Sequence, residues 1–494
     1  MASLKGAAMP LFALLSMAFA GETEFAGDLR LTTDTVSALT LDELGASVER
    51  PFVLRSRVVL GMRTTLNPNT QFLLGVEGLS GQIAGSTTEL GNSIGDDVFR
   101  VRRDGSADLW QIWPRALALQ HKKGRLNTSL GIQTFHWGLG MLSNDGLQPT
   151  PFGEANQGNI YLRGAVAGVP VLAENPAQSI RLFFATDWIL RDDNVSVYDG
   201  DTAYQVITGV MQQRKTTYWS LLSGARYQQD REYSYHPEGE TTGWVVPLDF
   251  YGKQILGPLA LELEAVQLTG QTNRIYSEQT RGETAKLQAT GLMLQLAPAE
   301  KSEDEIALWA SGIAGFASGD NNPTDDVARE FSMHSNSNAG LLLFDEIIPM
   351  LTANAVDRIT DPSLSAQPPP SLRYAVNQGT VSGSAYLQLL GHVQYKRTKA
   401  KLGYLYAHRT AALADPYTTG ISGGYPVGYG GVAVDNRSLG HEIDLRLRAG
   451  FGNQMRYVLV GEGGYFIPGN ALSGVLDAPV WGVHSRLQIQ WGAF

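Results

Sequence analysis

The chain has 494 residues, a formal net charge of −10, 55 glycines and no cysteine. The missing cysteines exclude disulfides, thiol chemistry, cysteine-ligated metals and a lipid anchor on an N-terminal cysteine, and the acidic balance argues against nucleic-acid binding. The length admits two or three ordinary domains, yet no linker divides the chain, and its mean hydropathy of −0.12 also suits a membrane barrel whose strands alternate apolar and polar residues.

The first twenty residues, MASLKGAAMPLFALLSMAFA, carry a charge at Lys5, an apolar run from about Met9 to Phe19, and small residues at Ala18 and Ala20. That layout predicts a secretory signal peptide cleaved after Ala20, leaving 21–494 as a single domain. The alternative, an N-terminal membrane helix, has too short an apolar run to span a bilayer. No later stretch reaches about 18 consecutive apolar residues.

From Phe52 onward the chain repeats one unit: an alternating run, a tight polar turn, and a second alternating run. FVLRSRVVLGMRTTL puts Leu54, Val58, Leu60 and Met62 on one face and Arg55, Arg57 and Arg63 on the other. The turn Asn67–Thr70 follows, then a run with Phe72, Leu74 and Val76 facing out and Glu77 facing in. Period two with Asn-Pro chemistry between the runs predicts a β-hairpin. The same reading holds around the turns at His121, Gln212, Leu256, Tyr395 and Gly450. Longer polar stretches separate these hairpins, at about 33–51, 83–105, 138–157, 190–201, 230–241, 271–282, 319–381, 411–437 and 467–479.

Short and long connections thus alternate along the whole chain, as in a transmembrane barrel with tight periplasmic turns and long external loops. In lipid every backbone polar group must find a partner within the protein, so the sheet must close on itself. The predicted fold is all-β, a transmembrane antiparallel up-and-down β-barrel of about 18 strands, with 16 left open by the weak run NIYLRGAVAG. Trp137, Tyr218, Trp219, Tyr465 and Phe466 are candidates for aromatic girdles. The last run, VWGVHSRLQIQWGAF, places Trp481, Val483, Leu487, Ile489 and Trp491 on one face, while Phe494 falls out of phase. A glycine bulge at Gly492 is expected to reset the face.

The terminal strand ending in Phe494 resembles the signal that the bacterial barrel-assembly machinery reads. Two further segments resemble the alginate-export family of outer-membrane proteins: GFASGDNNPTDDVAREF (Gly315 to Phe331), and LGHEIDLRL followed by VGEGGYFIPG. RLNTSLGIQTFHWGLGMLSNDG is similar to the polysaccharide-porin pattern. The resemblance implies an 18-stranded barrel in the outer membrane of a Gram-negative bacterium that exports an anionic polysaccharide. After Phe331 the chain departs from the family and reads SNAGLLLFDEII.

Inward positions predicted from strand phase are Arg55, Arg57, Arg63, Arg125 and Arg181 in the first half, and Arg226, Arg446, Arg448, Arg456 and Arg486 in the second. Inward acids are Glu77, Asp187, Glu262, Glu264, Glu442 and Asp444. The chain has 28 arginines against 10 lysines. Arginine keeps its charge and grips carboxylates with two donors, so a ladder of arginines would pass an anionic chain from site to site. The competing reading is structural: inward Arg and Glu on neighbouring strands pair and brace the wall.

In the longest connection, about 319–381, Leu342, Leu343, Ile347 and Leu351 share a possible helical face interrupted by Pro349. A plug folded into the lumen and an external lid are both compatible with it. GDNNPTDD collects Asp320, Asp325 and Asp326, oxygen ligands of a kind suited to Ca²⁺, but the spacing is not that of an EF-hand; a solvated acidic loop is the preferred reading, and no metal is expected. GISGG fits G-x-S-x-G around Ser422, but the motif requires a following helix and none is expected. His136, His392, His441 and His484 lie far apart and lack metal-ligand spacing. No enzyme activity and no cofactor are expected.

The reading is therefore an outer-membrane porin or export channel for an anionic polysaccharide or another anionic solute. Its expected partners are outer-membrane lipid and lipopolysaccharide, the barrel-assembly machinery and possible periplasmic export proteins. The alternative is a structural or adhesive barrel with a blocked lumen and partner-binding loops.

Overall fold

A computed structural model describes residues 22–494 except 87–89, 91–111, 156–157, 169–179, 232–239, 275–283, 300–305, 323–324, 362, 365–375, 378, 424, 453–454 and 493–494. Eighteen antiparallel strands form one closed sheet. In chain order they are β1 (Glu22–Thr40), β2 (Ser47–Asn67), β3 (Thr70–Gly85), β4 (Trp113–Lys123), β5 (Leu126–Thr134) and β6 (Ile160–Gly168). Then come β7 (Ile180–Arg191), β8 (Thr202–Gln213), β9 (Thr217–Arg231), β10 (Glu240–Leu256), β11 (Leu259–Thr272) and β12 (Ala285–Pro298). The last six are β13 (Ile306–Ala317), β14 (Ser384–Tyr395), β15 (Thr398–Arg409), β16 (Ser438–Phe451), β17 (Met455–Pro468) and β18 (Val480–Trp491). Each strand pairs with the next, and β18 closes on β1 from Gly27 opposite Trp491 to Val36 opposite Gly482. The weak run after Asn159 is a true strand, β6, paired on both sides.

One connection is shorter than its sequence suggests. The polar stretch 33–51 reads as a loop, yet β1 and β2 stay paired through two bulges to Thr40 opposite Ser47. The inner face there carries Val36 and Leu39, which are buried, so the hairpin is supported from inside the barrel.

The outer surface is apolar. Leu182, Phe184, Leu292, Leu294, Leu389 and Leu445 are each more than a third exposed. Near the long-loop end Trp188, Tyr204, Tyr227 and Trp244 stand directly opposite one another on β7 to β10 and are all exposed. Such a continuous exposed apolar surface marks contact with a partner phase rather than water. Of the expected girdle residues, Trp219 and Tyr465 lie on this face. Trp137 and Phe466 are buried inside. Tyr218 also turns inward, its hydroxyl reaching the Met211 sulfur and its ring lying 5.6 Å from Tyr251. Their position at strand ends was right, but strand phase and, for Trp137, an in-folded loop put them on the other side.

Among the described residues no helix is long and apolar enough to cross a membrane. Leu343–Ile347 winds as a π-turn and continues into α1, Ile348–Thr360. Pro349 sits in the first turn of α1, where its missing N–H costs no helical bond, so it does not break the helix. The short α2 is Pro416–Ile421.

The ladder of β18 ends at Trp491, and Gly492 takes a left-handed conformation with φ of +67°. A side chain there would strike the Phe25 carbonyl. The pairing beyond it that the expected bulge requires, and the Phe494 signal, lie outside the described residues.

Candidate functional site

Two connections send described residues into the barrel, where they meet: 135–155 and 158–159 after β5, and 331–360 after β13. The first is held by inward arginines that donate to its carbonyl oxygens. At the centre is Glu77 on β3, fully buried and paired with Arg57 at 2.8 Å, Arg115 at 2.7 Å and Arg191 at 3.4 Å. Each of the three also grips the loop. Arg57 donates to the carbonyls of Gly146 and Ala155, Arg115 to that of Asp145, and Arg191 to that of Gly158. A guanidinium has five donors in a rigid fork, so it satisfies an acid and a carbonyl together.

The loop tip reaches the wall formed by β15 to β18 and β1. Arg446 pairs with Glu462 at 2.6 Å and donates to the carbonyls of Thr150 and Gly153, while Glu462 accepts the Gly153 N–H at 3.1 Å. Phe152 is fully buried and is seated over the inward Gly403, where a Cβ would collide with its ring. Glu154 pairs with Arg486 at 3.1 Å and accepts from the Thr32 hydroxyl at 2.9 Å. Burial opposes the charge of Glu154, but Arg486, Arg30 and Arg55 outweigh it and hold the carboxyl down at about 2. On the opposite wall Glu264 accepts the N–H groups of Leu139 and Met141.

The second connection rests on the first. His334 donates its backbone N–H to Met141 at 2.7 Å, and its Nε2 lies 2.7 Å from Asn159 Oδ1. Next, Glu442 on β16 accepts three consecutive N–H groups, from Leu341, Leu342 and Leu343. A carboxylate at a helix N-terminus satisfies its orphan donors and complements its dipole. Apolar residues do the rest. Leu342 lies over the inward glycines Gly464 and Gly482, 3.1 and 2.7 Å from where a Cβ would stand. Phe331 covers Gly291 in the same way. Arg50 and Glu346 form a buried pair at 2.7 Å. Arg358 of α1 holds Glu43 in the β1–β2 turn at 2.6 Å and stacks on Tyr417 of α2 at 3.9 Å; its hydrogen bond holds the Glu43 carboxyl below the usual carboxylate range. Leu342, Leu343, Ile347 and Leu351 are all fully buried in one apolar cluster with Val36, Phe466 and Val480 of the wall.

The ten arginines therefore separate into groups. Arg57, Arg446 and Arg486 clamp the first loop. Arg55 pairs with Asp34 beside them. Arg226 pairs with Asp192 at 2.6 Å, at the foot of a different connection. Arg63 faces inward near the short-turn end, 3.9 Å from Glu24, and Arg181 stands on the inward phase of β7 at the same end. Arg448 and Arg456 also face inward: they stand opposite Val460 and Gln490, whose side chains point into the barrel, and no ion pair engages them among the described residues. Arg125 does not line the lumen. It follows Gly124 (φ +60°) in the turn between β4 and β5 and is exposed at the rim, because strand phase does not extend into a turn.

Phase reasoning missed Arg30, Arg115, Arg163 and Arg191, and two acids, Glu154 on the loop itself and Glu462 on the wall. Arg163 forms a two-pronged pair with Asp187 at 2.7 and 2.8 Å, under the Phe135 ring. Among the described residues of the acidic loop the carboxylates turn to cationic side chains: Arg329 pairs with Asp325 at 2.9 Å and Asp320 at 3.5 Å, while Asp326 turns to Lys286. Ser422 follows α2 instead of preceding a helix, so it lacks the elbow that a nucleophile of that motif requires.

These features define a class by geometry: a closed up-and-down barrel with an apolar outside, charged inner wall and two in-folded connections. No protein-family model matches the chain, and no curated protein matches it in sequence. Solved structures do match along nearly the whole length. Pseudomonas aeruginosa OccK2 (OpdF) is similar with a TM-score of 0.49 at 11% identity, over 96% of this chain and 98% of that one. The same protein in complex with glucuronate gives 0.48 at 10%, over 96% and 99%. Acinetobacter baumannii OccAB1 gives 0.48 at 9%, over 96% and 97%.

Proposed function

We propose that this chain is an outer-membrane channel that passes anionic solutes. The apolar outer face supports residence in a bilayer, because only a closed barrel with that surface satisfies its backbone in lipid. The short turns then face the periplasm and the long connections the exterior. The observation that carries the choice of solute is the pair Arg448 and Arg456. Most other inward arginines are engaged by loop carbonyls and acids, whereas these two stand in the lumen beside Arg446 and Arg486 with no acid on them among the described residues. An anionic polysaccharide, which the resemblance to alginate-export proteins implies, is one solute of this kind.

A second reading has its own support. The apolar cluster around α1 fills the long-loop end, which suits a structural or adhesive barrel with a blocked lumen. Single-channel recording in planar bilayers under a KCl gradient separates the two. A steady conductance whose reversal potential shows anion selectivity is expected. Cation selectivity removes the anionic-solute reading, and the absence of current leaves the blocked barrel.

A further inference from the structure

The two ends of the barrel carry opposite charge. Three described short turns hold cations and no acid. Lys122, Lys123 and Arg125 stand at the β4–β5 turn, Arg214 and Lys215 at the β8–β9 turn, and Lys396 and Arg397 at the β14–β15 turn, all exposed. Two connections interrupt this ring: 299–305 has four acids and one lysine, and 169–179 has Glu174 and no cation; residues 169–179 and 300–305 lie outside the described ones. At the other end, the connections 41–46, 192–201 and 318–330 together contain ten acids and one arginine. None of the long connections has more Lys and Arg than Asp and Glu.

The basic turn at Lys396 continues into the lumen. Lys399 stands opposite Arg448 on the next strand, and Arg456 lies one strand further, at the same end. These groups make a path from the rim to the arginines that hold the first loop. A charged mouth of this kind raises the encounter rate of oppositely charged solutes by ten- to a thousandfold, and the acidic far mouth repels them.

We propose that carboxylate-bearing polyanions are captured at the short-turn mouth, through the Lys396–Arg397 turn and then Lys399, Arg448 and Arg456. This rests on the reading of the barrel as an anion channel. It adds a direction of entry that anion selectivity alone does not contain.

The test uses the full chain in a planar bilayer with oligoglutamate of about ten residues as the probe. The chain has no cysteine, so Ser422→Cys on an exposed long connection takes a single biotin, and streptavidin added to one compartment assigns the orientation. Current blocks are counted with the probe on one side at a time. In 0.1 M KCl the block rate from the short-turn side is expected to exceed that from the loop side by about tenfold or more. In 1 M KCl, where screening extends over only about 3 Å, the ratio falls towards one. The double variant Lys396→Asn, Arg397→Gln lowers the short-turn rate several-fold and leaves the loop-side rate in place. Anion-selective current with equal block rates from both sides, or a faster loop-side rate, overturns the capture inference and spares the channel reading. Cation-selective current, or none, overturns both.

Discussion

The two segments inside this barrel share some anchors, N–H groups on wall carboxylates among them, but differ in what dominates. Connection 135–159 presents carbonyl oxygens, and the wall answers with guanidiniums from Arg57, Arg115, Arg191 and Arg446. Connection 318–383 presents N–H groups at the start of its helix, and the wall answers with one carboxylate, Glu442, plus bare glycines on which Leu342 and Phe331 sit. The first segment buries Trp137, Met141 and Phe152, but its backbone hangs on a charge network. The second is a small hydrophobic core with a polar cap. Charge networks respond to screening and protonation, whereas burial of apolar area responds to neither to a comparable degree. The first segment is therefore the one that solution conditions move.

The sharpest way to break this contrast is Glu77→Ala. It leaves three buried guanidiniums without their common acid, and removing one partner of a buried ion pair costs about 3–5 kcal/mol. The expected outcome is looser 135–159 and little change at α1. Raised current noise and faster proteolysis within 135–159, with the 343–360 region still protected, would show it. Glu77→Gln separates loss of charge from loss of the side chain. Equal loosening of both segments would mean that they are not independently held. Glu442→Ala is the counterpart with a smaller effect. Its three N–H donors lose their acceptor, at about 1–3 kcal/mol for buried unsatisfied groups, while the Leu342 and Phe331 seats remain. Hydrogen exchange at Leu341–Leu343 is expected to rise steeply while the amides late in α1 stay slow. Fast exchange along the whole helix would show that the cap, not the packing, holds it.

Much of this architecture is legible in the chain. Alternation with period two, broken by tight turns such as Asn67–Thr70, fixes strand, turn and side, and even the last face from Trp481 to Trp491 follows from it. What the alternation cannot reveal is what stands opposite an inward residue. Arg446 and Arg448 are two residues apart on one face of one strand and look alike; the first holds a loop tip from far away in sequence and the second does not. Connection 135–159 reads as an external loop because Gly, Asn, Asp and Pro crowd it, and those same residues expose the backbone carbonyls that the wall arginines bind. Arg30 was hidden because the polar run after it reads as loop. Arg115 is the residue that the register skips opposite Gly75 and Val76, where phase carried over from the neighbouring strand fails.

The finest test of the contrast is acidity at Glu154, the loop carboxylate that Arg486 and Arg30 hold. Its folded value near 2 lies below the ordinary 4.5 of a free glutamate. A group depressed on folding contributes its stability above the unfolded value and loses it as the pH falls through the folded one. Glu154 thus supports the loop fully above about pH 4.5 and gives up that support between there and about 2. Glu154→Gln lacks the contribution at every pH. The loss is modest, because Arg30 keeps Asp28 at 2.9 Å and the Ala155 carbonyl. Other carboxylates also titrate over this range, so wild type alone does not isolate the effect. The difference between wild type and variant does. In proteolysis of 135–159 or in current noise, that difference should be constant above pH 5, shrink below it and vanish near pH 2. Amide exchange at Leu342 and Leu343, capped by Glu442 and not by Glu154, should show no difference at any pH. A wild-type-to-variant gap that persists unchanged down to pH 2 would mean that Glu154 acts by shape, and that the first segment is not held by charge at its tip.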